Sequence, residues 1–299
     1  MTALKLTTCT TSPLEGKSAH SLPKTLWLPL LQQALAEDLG SAGDITSQYV
    51  FPENQAMTAI FKARTDGVLA GLTIALETFK LLDDNIHIVP LARDGDKITK
   101  GQPLARVSGS ARTILAGERT ALNLLSHLCG IASQTAAMVS KIAHTKAKLL
   151  DTRKTLPTLR ALQKYAVRCG GGINHRFGLY DSVMLKDNHL AHIKNLPETL
   201  QTMRSQLGHS VTIEVEVDTL DQLEQLLDSP INTVLLDNMP PETLKKAVAM
   251  ARGRFATEAS GGITPQTIAA VAESGVDYIS SGFLTHSVTQ LDIGLDIED

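Results

Sequence analysis

The pattern that most constrains the fold begins near residue 148, where short apolar runs start to alternate with amphipathic stretches. Runs of strand length fall at 148–151, 172–175, 182–185, 212–217, 233–236, 254–258 and 278–280. Helical periodicity fills most of the gaps: 157–169, with Pro157 in the favoured first position, then 190–207, 220–227, 241–251 and 265–274. Strands separated by helices pair in parallel through right-handed crossovers. Seven such strands imply an α/β barrel one strand short of the usual eight. The second run starts in the Gly170–Gly172 triplet and reads equally well as a loop.

Upstream the pattern differs. Residues 1–25 lack periodicity and read as a loose arm. Residues 26–39 read as a helix with Gly40 past its end. Between Met57 and Ser110 short apolar runs are broken at Asp66-Gly67, Asp94-Gly95, Gly101 and Gly109, which is hairpin chemistry around one helix at 73–82. The spacing DGDKITKGQPL resembles biotinyl and lipoyl carrier domains, but no modifiable lysine stands in the context such a carrier needs, so a β-rich cap is preferred. A helical pattern covers 113–143. The expected division is an arm (1–25), an N-terminal α/β domain (26–128) and a barrel (129–284), with 285–299 available to pack back on the N-terminal domain.

Composition excludes some classes. A net charge of −3 argues against general nucleic-acid affinity, and no apolar run reaches the ~18–20 residues of a membrane span. The first residues show no signal-peptide core, so the expected location is cytoplasmic. Cys9, Cys129 and Cys169 are odd in number and scattered, which suits reduced thiols better than a disulfide frame or a zinc site.

Charge is concentrated where the alternation starts. From Asp151 to His189 seven basic residues face three acidic ones, a local balance of +4 that points to a small anionic ligand. Polar residues also recur after each proposed strand: Arg153 and Lys154; His175 and Arg176; Lys186, Asp187 and Asn188; Asp237 and Asn238; Ser260, Gly261 and Gly262; Ser281 and Gly282. Glu214 and Glu216 lie two apart within the fourth strand and so share a face. Barrel enzymes place their sites at the carboxyl ends of the strands and often bind phosphate with the last two loops. In ASGGIT and SSGFLTHS, glycine backbone N–H groups and a following helix N-terminus suit a phosphate. Cations, carboxylates and a phosphate loop together suit transfer of a ribosyl phosphate from a diphosphate donor. Carboxylates would hold Mg2+ and stabilise an oxocarbenium-like transition state, and arginines would grip an anionic acceptor.

The segments GERTALNLLSHLCGIAS, LDTRKTLPTLRALQKYAVRCGGGINHR, MLKDNHL, IEVEVD, VLLDN, EASGGIT and ISSGFLTHS, in this order, resemble the quinolinate phosphoribosyltransferases (nicotinate-nucleotide pyrophosphorylases, carboxylating) from about Glu37 to Val288. The resemblance implies an N-terminal α/β sandwich domain and a seven-stranded open, TIM-like α/β barrel. It implies a reaction between quinolinate and phosphoribosyl pyrophosphate with Mg2+, giving nicotinate mononucleotide, pyrophosphate and carbon dioxide in de novo NAD synthesis. By resemblance, Arg153, His175, Arg176 and Lys186 line the pocket for the quinolinate carboxylates, and Lys154 contacts donor or substrate. Lys154, Lys186, Glu216 and Asp237 are the candidate catalytic groups, with Glu216 and Asp237 near ribose and metal, directly or through water. Ser260, Gly261, Gly262, Ser281 and Gly282 would cradle phosphate. Arg119 would reach into a partner's site, implying a homodimer with shared sites and room for a higher oligomer.

Alternatives stay open at this level. Lys186 could be the Schiff-base lysine of a barrel aldolase, a relative could use another acidic pyridine or serve molybdenum metabolism, and the fold could bind without catalysing. His175 reads as a site residue rather than a core histidine, Glu214 as structural, and His189 as site support or helix cap. Arg160, Lys164 and Arg168 share a helix face that reads as solvated or as a subunit interface, while His127, His144 and His286 read as incidental and Cys169 as filler.

Overall fold

The computed structural model describes residues 21–298. Most of the arm expected at 1–25, and Cys9 with it, lies outside them. At the start of the described chain, Trp27 is buried and donates its indole N–H to the Leu22 carbonyl (3.1 Å), anchoring the helix Leu28–Leu39.

The N-terminal part holds strands β1 (Ala56–Ala63), β2 (Gly67–Val68), β3 (His87–Pro90), β4 (Lys97–Ile98) and β5 (Pro103–Ser110). The site strands follow: β6 (Lys148–Leu150), β7 (Val183–Leu185), β8 (Ile213–Val217), β9 (Thr233–Asp237), β10 (Ala256–Ser260) and β11 (Tyr278–Ser280). The last strand, β12 (Ile293–Glu298), returns to the N-terminal part and pairs antiparallel with β1, setting Leu295 opposite Phe61. The resulting sheet runs β12-β1-β5-β3. Its inner face packs on the helices Leu72–Leu82 and Ala111–Ile142. Alternate β1 residues Ala59, Phe61 and Ala63 are fully buried there, and Phe61 meets Phe79 edge-on at 5.9 Å. The helix Ala111–Ile142 runs on past residue 128 and contributes to both hydrophobic cores.

The second sheet is wholly parallel, in the order β6-β11-β10-β9-β8-β7. It turns back on itself at β6, which pairs with β11 on one side and bridges Ile173 on the other. β6 thus lies between β11 and Ile173, and β7 is at the far end of the order. The strand expected at 172–175 is thus reduced to one bridge, Leu150 to Ile173. Side chains from β6 and the neighbouring helix, rather than a strand ladder, hold the residues that follow. Along β8, Ile213, Val215 and Val217 are buried on the helix side, so Glu214 and Glu216 turn to the other face.

The helix expected at 220–227 spans only Leu220–Glu224, and three others are shorter for visible local reasons. The helix expected from Pro157 starts at Arg160 because Thr158 takes φ 66°, which no right-handed helix admits. The stretch 190–207 divides into Asp187–Leu190 and Leu196–Gln206. Asn195 caps the second helix by accepting from the Glu198 N–H (3.3 Å), with Pro197 in its first turn. The helix expected at 265–274 spans Ile268–Ala272, because Thr264 donates its N–H to Thr267 Oγ1 (3.0 Å) and turns the chain first. Among the described residues no helix is long and apolar enough to cross a membrane, and Cys129 and Cys169 are buried free thiols.

Candidate active site

A cavity of about 620 Å³ opens at the carboxyl ends of the parallel strands. Its wall brings together Arg153, Lys154, His175, Arg176 and Lys186 with Glu216, Asp237, Ser260, Gly261, Gly262, Ser281 and Gly282. Arg119 does not join them. It sits on the helix Ala111–Ile142 with a largely exposed side chain, 3.2 Å from its neighbour Glu118. Glu214 lies buried beneath the cavity wall.

The basic wall is set by a buried scaffold. Asp151, at the end of β6, and Lys164 form an ion pair with no exposed side-chain surface. Asp151 also accepts from the His175 N–H (2.9 Å) and from Asn174 Nδ2 (2.6 Å), while Lys164 donates to the His175 carbonyl (3.0 Å). Burial pushes the Asp151 carboxyl up and the Lys164 ammonium down, against their mutual attraction. The pair therefore fixes the backbone that carries His175 and Arg176. This corrects the solvated-face reading of Lys164. Its neighbour Arg160 is also engaged, donating to Thr155 Oγ1 (3.0 Å) and the Phe177 carbonyl (3.1 Å). The helix carrying Lys164 lies tight on the helix Ala111–Ile142: a Cβ on Gly170 would stand 2.3 Å from the Ala132 carbonyl.

Arg176 donates to the Ser182 carbonyl (3.1 Å), and burial together with the nearby Arg153 guanidinium lowers its pKa. Two crowded guanidiniums in a partly buried wall favour an anion between them. His175 accepts the Arg176 N–H at Nδ1 (2.6 Å) and turns Nε2 toward Glu214 (3.2 Å) and Glu258 (3.4 Å). Burial opposes an imidazolium, but the hydrogen bonds and charge of the two carboxylates outweigh it and raise the pKa to about 10. Burial raises the Glu214 carboxyl, partly offset by His175.

Across the cavity Lys186 pairs with Glu216 at 2.9 Å, and His189 Nδ1 accepts the Lys186 N–H (3.0 Å). His189 is thus both helix cap and support for Lys186. Burial raises the Asp237 carboxyl, and the nearby charges of Glu216 and Asp218 raise it further. Oxygen donors crowded at the ends of β8 and β9 suit a hard divalent cation. The glycine turn is built for close approach. Gly261 has φ 92°, and a Cβ there would lie 2.1 Å from Asn238 Oδ1. Among the described residues the N–H groups of Gly261 and Gly262 donate to nothing. The following helix starts only at Ile268, so the N–H groups of the turn, not a helix N-terminus, face the cavity here. Lys154 is held by Thr285, whose Oγ1 donates to the Lys154 carbonyl (2.6 Å).

Sequence reasoning missed Asp151, Asn174 and Glu258, and set aside His286, which lines the cavity. Glu258 could have been found, since it stands two residues before Ser260 and period-2 alternation puts both on one face.

Known proteins resemble this chain along most of its length. The family model of the quinolinate phosphoribosyl transferase N-terminal domain matches residues 44–129, and that of the C-terminal domain matches 131–296. A probable nicotinate-nucleotide pyrophosphorylase [carboxylating] of Bacillus subtilis is 45% identical over 268 residues, covering 90% of this chain and 92% of that protein. The nicotinate-nucleotide pyrophosphorylase [carboxylating] of Mycobacterium leprae is 44% identical, covering 89% and 95%. The solved nicotinate-nucleotide pyrophosphorylase of Francisella tularensis superposes with a TM-score of 0.89 at 38% identity, covering 95% of this chain and all of the other. With both domains matched in order and such relatives spanning nearly its whole length, the chain belongs to the quinolinate phosphoribosyltransferase family.

Proposed function

We propose that the protein transfers the phosphoribosyl group of phosphoribosyl pyrophosphate to quinolinate with decarboxylation, giving nicotinate mononucleotide, pyrophosphate and carbon dioxide for de novo NAD synthesis. The observation that carries this reading is one cavity holding a basic wall, two acidic strand ends and an open glycine turn. Quinolinate is a dianion, and Arg153, Arg176 and Lys186 offer cations to its carboxylates. Held this way, the ring nitrogen faces the anomeric carbon. Its lone pair forms the new bond as pyrophosphate leaves with the electrons of the old one. The ring nitrogen, now positive, accepts the electrons of the carboxylate carbon bond that breaks, and the ring carbon takes up a proton. Glu216 and Asp237 stand where positive charge develops on the ribose, and the Gly261 and Gly262 N–H groups suit the ribose phosphate.

Mg2+ fits the oxygen donors Glu216 and Asp237, directly or through water, and would neutralise charge on the departing diphosphate. Lys186 is engaged by Glu216, which gives a Schiff-base amine no support. The reading includes a cytoplasmic homodimer with shared sites. Arg119 supports it, being exposed and outside its own cavity, where a second copy could use it. The test is pyrophosphate release. It should require quinolinate, donor and Mg2+ together, and equal turnover of nicotinate, or none of quinolinate, would remove the assignment.

A further inference from the structure

The loop 152–158 brings Arg153 and Lys154 to the cavity wall, yet none of its residues is buried, and Leu156 is 47% exposed. No apolar anchor sets its place. Within the loop, the Lys154 N–H donates to Thr152 Oγ1 (3.0 Å) and the Thr155 N–H to the Arg153 carbonyl (2.9 Å). These bonds shape the turn without tying it to the body. Thr158, at φ 66°, holds a conformation that a β-branched residue keeps only with outside support. Among the described residues, side-chain bonds reach the loop from three outside positions. Arg160 meets Thr155, Thr285 donates to the Lys154 carbonyl, and Gln163 accepts the Leu156 N–H at 2.9 Å.

Gln163 has no exposed surface. A backbone N–H can only donate, so the amide oxygen is the atom that faces Leu156. The amide nitrogen then faces His127 Nε2 at 2.8 Å and the Thr285 carbonyl at 3.5 Å. His127 Nε2 must accept, so its ring is neutral with the proton on Nδ1. Burial holds the His127 pKa below its ordinary value, in keeping with that form. One amide thus joins the loop after β6 to the helix Ala111–Ile142 and to the helix Phe283–His286. His127, incidental by sequence, is part of that junction.

We propose that Gln163 and Thr285 are positioning residues for the acceptor site, fixing the loop whose Arg153 grips a quinolinate carboxylate. The proposal rests on the quinolinate reading of the cavity. Neither residue lines the cavity, so neither acts by touching a ligand. The next residue on the same helix, Lys164, holds the His175 carbonyl. Adjacent residues of one helix therefore set both halves of the basic wall. Without its polar ties the loop has no buried contact to keep it in register, and the Arg153 guanidinium spends less time where the carboxylate needs it.

The experiment has two arms. Amide hydrogen exchange followed by NMR reads the Leu156 N–H. In the parent it should be protected although the residue is exposed. Gln163→Met keeps the length of the side chain but cannot replace the amide, and should speed that exchange about tenfold relative to the barrel strands. An unprotected Leu156 N–H in the parent would overturn the proposal. Calorimetry, at a temperature where each variant is folded, then measures quinolinate binding. Gln163→Met should lower the affinity about tenfold, while Gln163→Glu should stay within about threefold of the parent. A carboxylate still accepts the Leu156 N–H, and His127 can move its proton to Nε2. Thr285→Val makes the matching cut at Lys154 with little change of shape and should also weaken binding, which keeps the test decisive if Gln163→Met does not fold. Equal affinity in the Met and Glu variants, or parent-like affinity in Thr285→Val and Gln163→Met, would overturn the proposal. If the parent binds no quinolinate, the functional reading fails, and the exchange arm still decides whether Gln163 holds the loop.

Discussion

At the residue scale, the site depends on a charge pair that never meets solvent. Asp151 and Lys164 sit wholly inside, with Asn174 and the His175 backbone completing the donors around the carboxylate. The positive cluster from Asp151 to His189 was legible as concentrated charge, and Arg153, Lys154, Arg176 and Lys186 from it line one cavity. Which cation turned inward was not legible. Lys164 shares the spacing of Arg160 and Arg168, and helical periodicity alone assigns all three to one outer face. Removing one partner of a buried pair leaves an uncompensated charge, so Lys164→Met should lower unfolding stability by roughly 3–5 kcal/mol in urea titration. A loss under about 0.5 kcal/mol, the level of an ordinary surface change, would mean that the pair is not buried in solution.

At the element scale, period-2 alternation placed Glu214 and Glu216 on one face of β8 before any coordinates. The parallel sheet followed from the alternation of runs. What escaped were backbone choices set by single residues. Thr158 in a left-handed conformation and Asn195 as a cap cut helices that periodicity drew longer. The glycines at 170 and 172 let the helix carrying Lys164 close on its neighbour, and the strand expected after them is a single bridge at Ile173. The glycine turn after β10 was legible as a turn on the cavity wall, although the helix expected directly behind it begins only at Ile268. A methyl group at Gly261 meets both a positive φ and Asn238. Gly261→Ala should therefore weaken binding of the phosphoribosyl donor about tenfold or more in calorimetry and leave quinolinate binding within about twofold. Equal weakening of both ligands would place the turn outside the phosphate site.

At the scale of the whole molecule, the chain returns on itself twice. β11 closes beside β6, which brings the first and last loops of the parallel sheet to one cavity, and β12 joins the N-terminal sheet. The resemblance of the motifs carried the family, and the matches over 44–129 and 131–296 extend it across both parts. Lys154 and Gly282, which the alternation of strands and helices placed at ends of different strands of one sheet, line one wall because β11 pairs with β6. The central claim is that basic side chains and glycine turns from separate strands converge on one dianionic acceptor and one ribose phosphate. A crystal structure with quinolinate and an unreactive donor analogue tests it most directly. The account predicts the quinolinate carboxylates against Arg153, Arg176 and Lys186, with the donor's ribose phosphate on the Gly261 and Gly262 turn. Ligands bound elsewhere, with these groups untouched, would contradict it.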